Sequence, residues 1–446
     1  MTKKLPSRRT TLLATVFAVT AALPALAQTA APATTAAPTP TPTPAEEKYS
    51  GLVIDGIKLS GQIQGGVLFN PFRPNTGLNF GQTLTDHANQ AQLNQTLLTA
   101  QKEIDKADTG FQWGFKLQFM YGSDARYTQF LGELNNVLPN QRYQFDVVEA
   151  NVQLRLPVFA GGLDIKAGQY TTPIGYETID PSTNPFYSHS YIFQFGLPFK
   201  HTGLLATAHV SDMLDLYTGI DTGANTTFGP LGDNNSAVAT IFGFGMTLMD
   251  GKLSLLALTH LGPEQSTRVL SPIGINANGT WRSYNDILIT YKPNDTWSFT
   301  TELNWIRDSY GISGNPVNGF GAAQYVAYAW TDTLTLNARA ELWRDDNNFF
   351  VAAFSGNSDP VRVQQGLSPR SPVYAAPGTN TTYGSLTLGV TYKPDIPAPL
   401  TGLMIRPEIR WDHAFTNNKP FNNNGVTNSG GTSDNFTFGA DIVISF

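Results

Sequence analysis

Cysteine is missing from all 446 residues, so neither disulfides nor thiolate metal sites hold this chain together. Long hydrophobic runs are missing as well: beyond the N-terminus nothing approaches the roughly 18 uninterrupted apolar residues of a transmembrane helix. Charge is sparse, at 14 % of residues, which is low for a soluble enzyme. The 28 basic residues, less four in the N-terminal leader, leave 24 against 34 acidic ones, a net charge of −10 that argues against a nucleic-acid partner.

What is present begins with an export signal. Lys3, Lys4, Arg8 and Arg9 precede an apolar run from Thr11 to Leu23 and the small-x-small site Ala25-Leu26-Ala27. This is the pattern of a cleaved signal peptide over residues 1–27, with a mature chain starting at Gln28. Arg8-Arg9 also fits a twin-arginine signal, but that route carries folded cargo and a lipid-facing barrel cannot fold in the cytoplasm, so the pair reads as a charged n-region. Residues 28–50 form a linker that is almost wholly Ala, Thr and Pro as far as Pro44. Such a composition cannot bury a core and favours extended, solvated chain; it reads as a periplasmic tether, with a cell-wall handle as the alternative. From Gly51 to Phe446 no domain break is visible.

That long domain alternates with period two. Ile57–Phe69 sets Leu59, Ile63, Val67 and Phe69 against Lys58, Gln62 and Gln64; Phe111–Tyr121, Trp297–Trp305, Leu403–Trp411 and the terminal Phe436–Phe446 repeat the pattern. A membrane chain without spanning helices has to close a β-barrel. The register follows from energy: the reverse assignment would turn Lys116, Arg406 and Arg410 to lipid at roughly 2–4 kcal/mol each near the midplane. Trp297 and Trp305, in a strand tilted by about 40°, stand on the order of 20 Å apart, close to the height of the apolar band. The chain also ends on an aromatic residue, as outer-membrane barrels usually do.

Strand number follows from the turns. Tight connections occur at Pro157–Gly162, Ser211–Met213, Asp250-Gly251, Lys292–Asp295, Thr331-Asp332, Lys393–Gly402 and Lys102–Gly110. The segment before the last of these, Ala91–Gln101, reads as a strand or, through Leu93, Leu97 and Ala100, as a helix stripe. Counting it as a strand keeps both termini on one side. The expected fold is therefore all-β: a transmembrane antiparallel barrel of about 16 strands (range about 14–18) with short periplasmic turns and long extracellular loops. A barrel of that size leaves an aqueous channel, whereas a compact, filled interior would argue against one.

Thr171–Lys200 is the feature expected to narrow that channel. It carries four prolines and seven aromatics and is long for a connection in a regular barrel. Folded inward it would present Tyr176, Glu177 and Asp180 as a constriction; otherwise it would form a rigid extracellular cap. The strand pattern turns Lys58, Lys116, Glu149, Arg155, Asp164, Lys166, Glu302, Arg339, Glu341, Arg406, Glu408, Arg410 and Asp441 into the lumen. Opposed acidic and basic rows across a pore tune ion selectivity. They can equally pair with neighbouring strands and neutralise the wall.

The stretches TTPIGYE, NPFYSHSYIFQFGLPFKHTG, LGPEQ (Leu261–Gln265) and RPEIRWD (Arg406–Asp412) resemble the OmpL-like β-barrel porins, over nearly all of the mature chain. The resemblance implies an outer-membrane porin, of general-diffusion or solute-specific type, without naming the solute.

Signals for chemistry are few. His87, His189, His201, His209, His260 and His413 are scattered without metal-ligand spacing, and Ser188-His189-Ser190 is not a nucleophile elbow, so no catalytic, metal or cofactor site is expected. Asn417–Asn424 with Asp434 fits either a Ca²⁺ site or a solvated loop. The leading expectation is an outer-membrane porin for passive diffusion of small hydrophilic solutes or ions. A barrel enzyme using His201 or His209, of lipase or protease type, and an adhesin or structural anchor are the alternatives. Expected partners are outer-membrane lipid, the barrel-assembly machinery and, in a homotrimer, two further copies.

Overall fold

In the computed structural model the described residues are 52–446, apart from 106–107, 109, 135–136, 139–140, 230, 312–313, 355–361, 363–372, 376–379 and 423–430. The signal and the Pro-rich linker lie outside them. Among the described residues sixteen strands form one closed antiparallel barrel. They are β1 (Ile57–Phe69), β2 (Ala91–Lys102), β3 (Gln112–Gly122), β4 (Gln144–Leu156), β5 (Leu163–Thr171), β6 (Lys200–Ser211), β7 (Leu214–Asp221) and β8 (Ala239–Leu248). Continuing round, they are β9 (Leu253–Pro263), β10 (Trp281–Tyr291), β11 (Trp297–Asp308), β12 (Val317–Ala329), β13 (Leu334–Asp345), β14 (Thr381–Tyr392), β15 (Gly402–Ala414) and β16 (Asp434–Ser445). Every strand pairs with its neighbour in sequence, and β16 closes on β1 through pairs such as Ile442↔Gly65.

The seven tight turns fall where the sequence puts them, so one end of the barrel carries those turns and the other the remaining loops, most of them long. Both ends of the domain lie at the short-turn end. There Phe446 exchanges backbone hydrogen bonds with Gly61 at 2.8 and 2.9 Å. A short strand, Leu52–Ile54, folds back on the start of β1 through Asp55 and Gly56, both at positive φ as a tight hairpin turn requires. The sequence reading did not include it.

Ala91–Lys102 is a strand paired on both sides, which removes the helix alternative. Leu97 is buried inside while its neighbour Leu98 is 55 % exposed on the lipid face, an alternation no helix stripe produces. The pairing slips at Gln64/Gly65, leaving Asn94 as an extra, buried residue. The strand expected at Ala322–Trp330 starts earlier, at Val317, because Gly319 and Gly321 dilute the alternation without breaking the ladder.

Outside, the barrel is greasy: of the seven tryptophans all but Trp343 are exposed. Trp113, Trp297 and Trp330 mark the short-turn end, and Trp281, Trp305 and Trp411 the long-loop end, the two girdles of a lipid-spanning barrel. Inside, side chains are polar, and Trp343 is buried against what occupies the lumen.

Candidate functional site

Thr171–Lys200, between β5 and β6, lies within the barrel. An irregular segment in that position carries backbone amides and carbonyls that have neither a ladder nor bulk water to pair with. The wall supplies partners, and it does so with charge. On β15, Arg406, Glu408 and Arg410 point inward at two-residue spacing. Arg406 Nη1 donates to the carbonyls of Pro181 (2.8 Å) and Asn184 (2.6 Å), and Arg410 Nη1 to that of His189 (2.6 Å). Between them the Glu408 carboxylate accepts from the amides of Tyr187 (2.9 Å) and Ser188 (3.1 Å). RPEIR is thus a ruler of alternating donors and acceptors laid against a strand-free backbone.

The neighbouring strands continue it. Arg339 Nη1 donates to Glu177 Oε1 at 2.6 Å and to the Ser188 carbonyl at 2.9 Å. Glu341 accepts from the Tyr191 amide at 2.7 Å and Glu302 from the Tyr176 amide at 3.1 Å. Beyond β16, on β1 and β2, Gln62 donates to Asp180 at 2.8 Å and Gln95 to the Ile179 carbonyl at 2.9 Å. Arg406 also pairs with Asp441 on β16, so the wall charges are neutralised between strands as well as by the segment.

Seats for the segment's large apolar side chains are cut by glycine. A Cβ at Gly66 would stand 2.6 Å from the Tyr187 ring, and one at Gly321 would stand 2.4 Å from Ile192. Ile192 opens a single π-helical turn, Ile192–Gly196, packed against Trp343 and β12. Within the segment, Asp180 caps the 3₁₀ turn Pro181–Thr183 by accepting from the Ser182 amide at 2.9 Å. Burial alone would raise the Glu177 carboxyl, but Arg339 and His189 beside it hold it down at about 2.

The lumen is therefore filled in one region and open in another. Toward the long-loop end the segment packs with Phe80, Tyr383 and Phe421 into a continuous apolar core. Toward the short-turn end two cavities remain. One, of about 840 Å³, is lined among others by Lys102, Asp164, Lys166, His209 and Asp215; another, of about 390 Å³, reaches from Lys58 to Asp180. Both lie on the β1–β7 side or open toward it.

The sixteen expected site residues thus divide. Asp164, Lys166, Lys58 and Asp180 line open space. Lys116 and Glu149 pair at 3.0 Å beside the root of the segment, where Thr171 Oγ1 also reaches Glu149 at 3.1 Å. Arg155 grips Asp164 at 2.6 Å near the short turn. Glu302, Arg339, Glu341, Arg406, Glu408, Arg410, Asp441 and Glu177 are buried at 5 % exposure or less, holding the segment or its neighbours instead of facing free water. Tyr176 is half-buried and packs on Tyr325, ring centroids 4.4 Å apart. The sequence reading missed the receiving glycines, visible as Gly65-Gly66 and Gly319-Phe320-Gly321, and the loop pair Arg126–Asp86, bidentate at 2.8 and 2.9 Å.

For the oxygen-rich loop, residues 423–424 lie outside the described ones, and Asp434 accepts from Trp411 at 3.0 Å while bonded to His413 at 2.8 Å. Thr172, His201 and Asp221 do line up as hydroxyl, imidazole and carboxylate, at 3.0 and 3.1 Å, yet the imidazole and the carboxylate are buried away from both cavities.

A closed sixteen-strand barrel with an inward-folded segment defines an outer-membrane β-barrel porin. The family comparison agrees: residues 56–446 match the model described as "Putative beta-barrel porin-2, OmpL-like", and the chain belongs to that family. Three solved structures show the same fold. The anion-selective porin from Comamonas acidovorans has TM-score 0.52 and 10 % identity, covering 87 % of this chain and 99 % of that one. OprB of Pseudomonas putida has TM-score 0.51 and 13 % identity over 88 % and 94 %. OmpF of Salmonella typhi, complexed with daunomycin, has TM-score 0.50 and 12 % identity over 87 % and 97 %. Comparison with curated proteins returned no match.

Proposed function

We propose that solutes pass between the inserted segment and the β1–β7 wall, and that this gap sets the size and charge of what diffuses. The observation that carries the reading is the asymmetry of the lumen along its axis: apolar clusters pack the segment toward the long-loop end, while cavities lined by Lys58, Asp164, Lys166 and Asp180 stay open beside the β1–β7 wall toward the short-turn end. The ligand class is small and hydrophilic, because charged groups of both signs line the cavities. Planar-bilayer recording on the purified, folded protein tests this: stepwise conductance is expected, and a folded barrel that never conducts would refute it.

The same reading includes export through cleavage after Ala27, a periplasmic tether over residues 28–50, insertion by the barrel-assembly machinery into outer-membrane lipid, and no catalytic turnover. It also includes a homotrimer. An outward groove of about 620 Å³ lined by Trp297, Tyr328, Leu336, Leu388 and Ile409 supports association through that face. Light scattering that gives a monomer mass in mild detergent would remove the trimer from the proposal.

A further inference from the structure

Three side chains that anchor no part of the inserted backbone meet at the long-loop end of β6, β7 and β9. His201 is the second residue of β6, Asp221 the last of β7, and His260 lies near the end of β9. Both imidazoles are 0 % exposed and Asp221 is 5 %. His201 Nδ1 stands 3.1 Å from Asp221 Oδ2, and His260 Nε2 stands 3.0 Å from Asp221 Oδ1. One ligating atom from each residue lies within 4.8 Å of the other two. Sequence spacing hid the group, because antiparallel pairing, not chain proximity, brings it together.

We infer that His201, Asp221 and His260 bind one divalent transition-metal ion of the zinc class inside the barrel wall. Two imidazoles and a carboxylate are a donor set that suits such ions and leaves a fourth position for water. The first reason is an orphan: His201 Nδ1 is buried 3.1 Å from the Asp221 carboxylate without a hydrogen bond of good geometry, so its bonding capacity is left open toward the cluster. An unpaired buried nitrogen is costly unless something takes it.

Outer contacts are the second reason. Ligating histidines commonly have their remaining nitrogen held by an oxygen, which fixes the ring. Here His201 Nε2 is so held, 3.0 Å from Thr172 Oγ1, whereas His260 Nδ1 faces Glu264 Oε1 at 3.8 Å, beyond hydrogen-bond distance. Asp221 is itself fixed, accepting from the Gly223 amide at 2.8 Å. Tyr170 stacks on His201 and Tyr284 flanks His260, with centroids 5.6 and 5.9 Å away, giving the site apolar walls.

Charge is the third. Two neutral imidazoles and one carboxylate leave a dication one positive charge in excess, and the buried Glu264 carboxyl beside His260 is placed to balance it once the ion is bound. Bonds of about 2.0–2.2 Å place tetrahedral ligands about 3.3–3.6 Å apart, so the donors, within 4.8 Å of one another, would draw in on the ion. The ion would tie three strands together next to both roots of the inserted segment, since Thr172 touches His201 and Lys200 precedes it.

The test uses untagged, full-length protein whose folding is established by heat-modifiable gel mobility. After chelator stripping, loading with Zn²⁺ and desalting, elemental analysis is expected to find one zinc per barrel, and Co²⁺ in its place should give visible d–d absorption. His201→Ala and His260→Ala should each lower zinc affinity by more than about 100-fold, and Glu264→Gln by about tenfold, while His413→Ala changes nothing. A folded wild-type barrel that retains no zinc and shows no cobalt band overturns the inference, leaving a His–Asp–His hydrogen-bond chain only. Undiminished binding by the folded His201/His260 double variant overturns it too. Should the variants not fold, the wild-type stoichiometry and cobalt spectrum decide.

Discussion

Arg339, Arg406 and Arg410, on β13 and β15, are at most 1 % exposed, whereas Lys58, Lys116 and Lys166, on β1, β3 and β5, keep part of their length in solvent. Both sets satisfy the same sequence rule, a basic residue on the inward face of an amphipathic strand. They do different things. The planar guanidinium forks reach two acceptors at once and suit buried carbonyls and carboxylates; the compact, strongly hydrated ammonium groups suit a wet wall. An inward charge in a barrel is thus either scaffold or lining, and the partner brought by the inserted segment decides which.

Four experiments would break or sharpen that contrast. Replacing residues 176–195 by a short Gly/Ser bridge should raise single-channel conductance several-fold, because the obstruction itself is removed; unchanged conductance would place the constriction elsewhere. Next in size, Arg339→Ala leaves Glu177 buried without its guanidinium, with His189, the Ser190 amide and the Tyr325 hydroxyl still bonded to it, a loss of about 3 kcal/mol. Chymotrypsin should then cut within the segment and conductance should rise. Arg339→Lys should not restore the wild type, since one ammonium cannot replace a fork that spans Glu177 and the Ser188 carbonyl.

Acid titration is a milder form of the same break. The Glu177 carboxyl is held near 2, below its ordinary 4.5, so its contribution is fully present above 4.5 and is lost as pH falls through about 2. Conductance should therefore hold steady from neutral pH to about 4 and increase only on approach to 2, and Glu177→Gln should remove that acid response. A transition at pH 6 would show that another group anchors the segment. Smallest is the effect on the open wall. Lys166→Glu should shift the reversal potential in a salt gradient toward cations while changing stability by less than about 1 kcal/mol. An unmoved potential would show that ions pass away from β5.

The strands were legible because lipid on one face and water on the other impose a period of two along each of them, and the turns because Asp-Gly and Pro-rich stretches punctuate it. Ala91–Gln101 was the least legible strand, since its bulge at Asn94 breaks the alternation. Legible too was the oddity of Thr171–Lys200, too long and too aromatic for a plain loop. Its partners were not. Arg406, Glu408 and Arg410 could be assigned inward from their spacing, but nothing along β15 reveals that the carbonyls of Pro181, Asn184 and His189 wait for them. The meeting of His201, Asp221 and His260 was hidden for a related reason: they belong to strands whose neighbourhood is set by ladder pairing, so spacing along the chain says nothing of their distance.

By itself, the sequence determined a barrel, its strand number and which side of each strand meets lipid, because these follow from local alternation and the cost of charge in hydrocarbon. Only the tertiary structure decided which inward charges face water and which are spent on an irregular backbone, since that depends on where the segment between β5 and β6 crosses the lumen. Its path is chosen by long-range fit, Tyr187 over Gly66 and Ile192 over Gly321, and contacts more than a hundred residues apart leave no periodic trace in the chain.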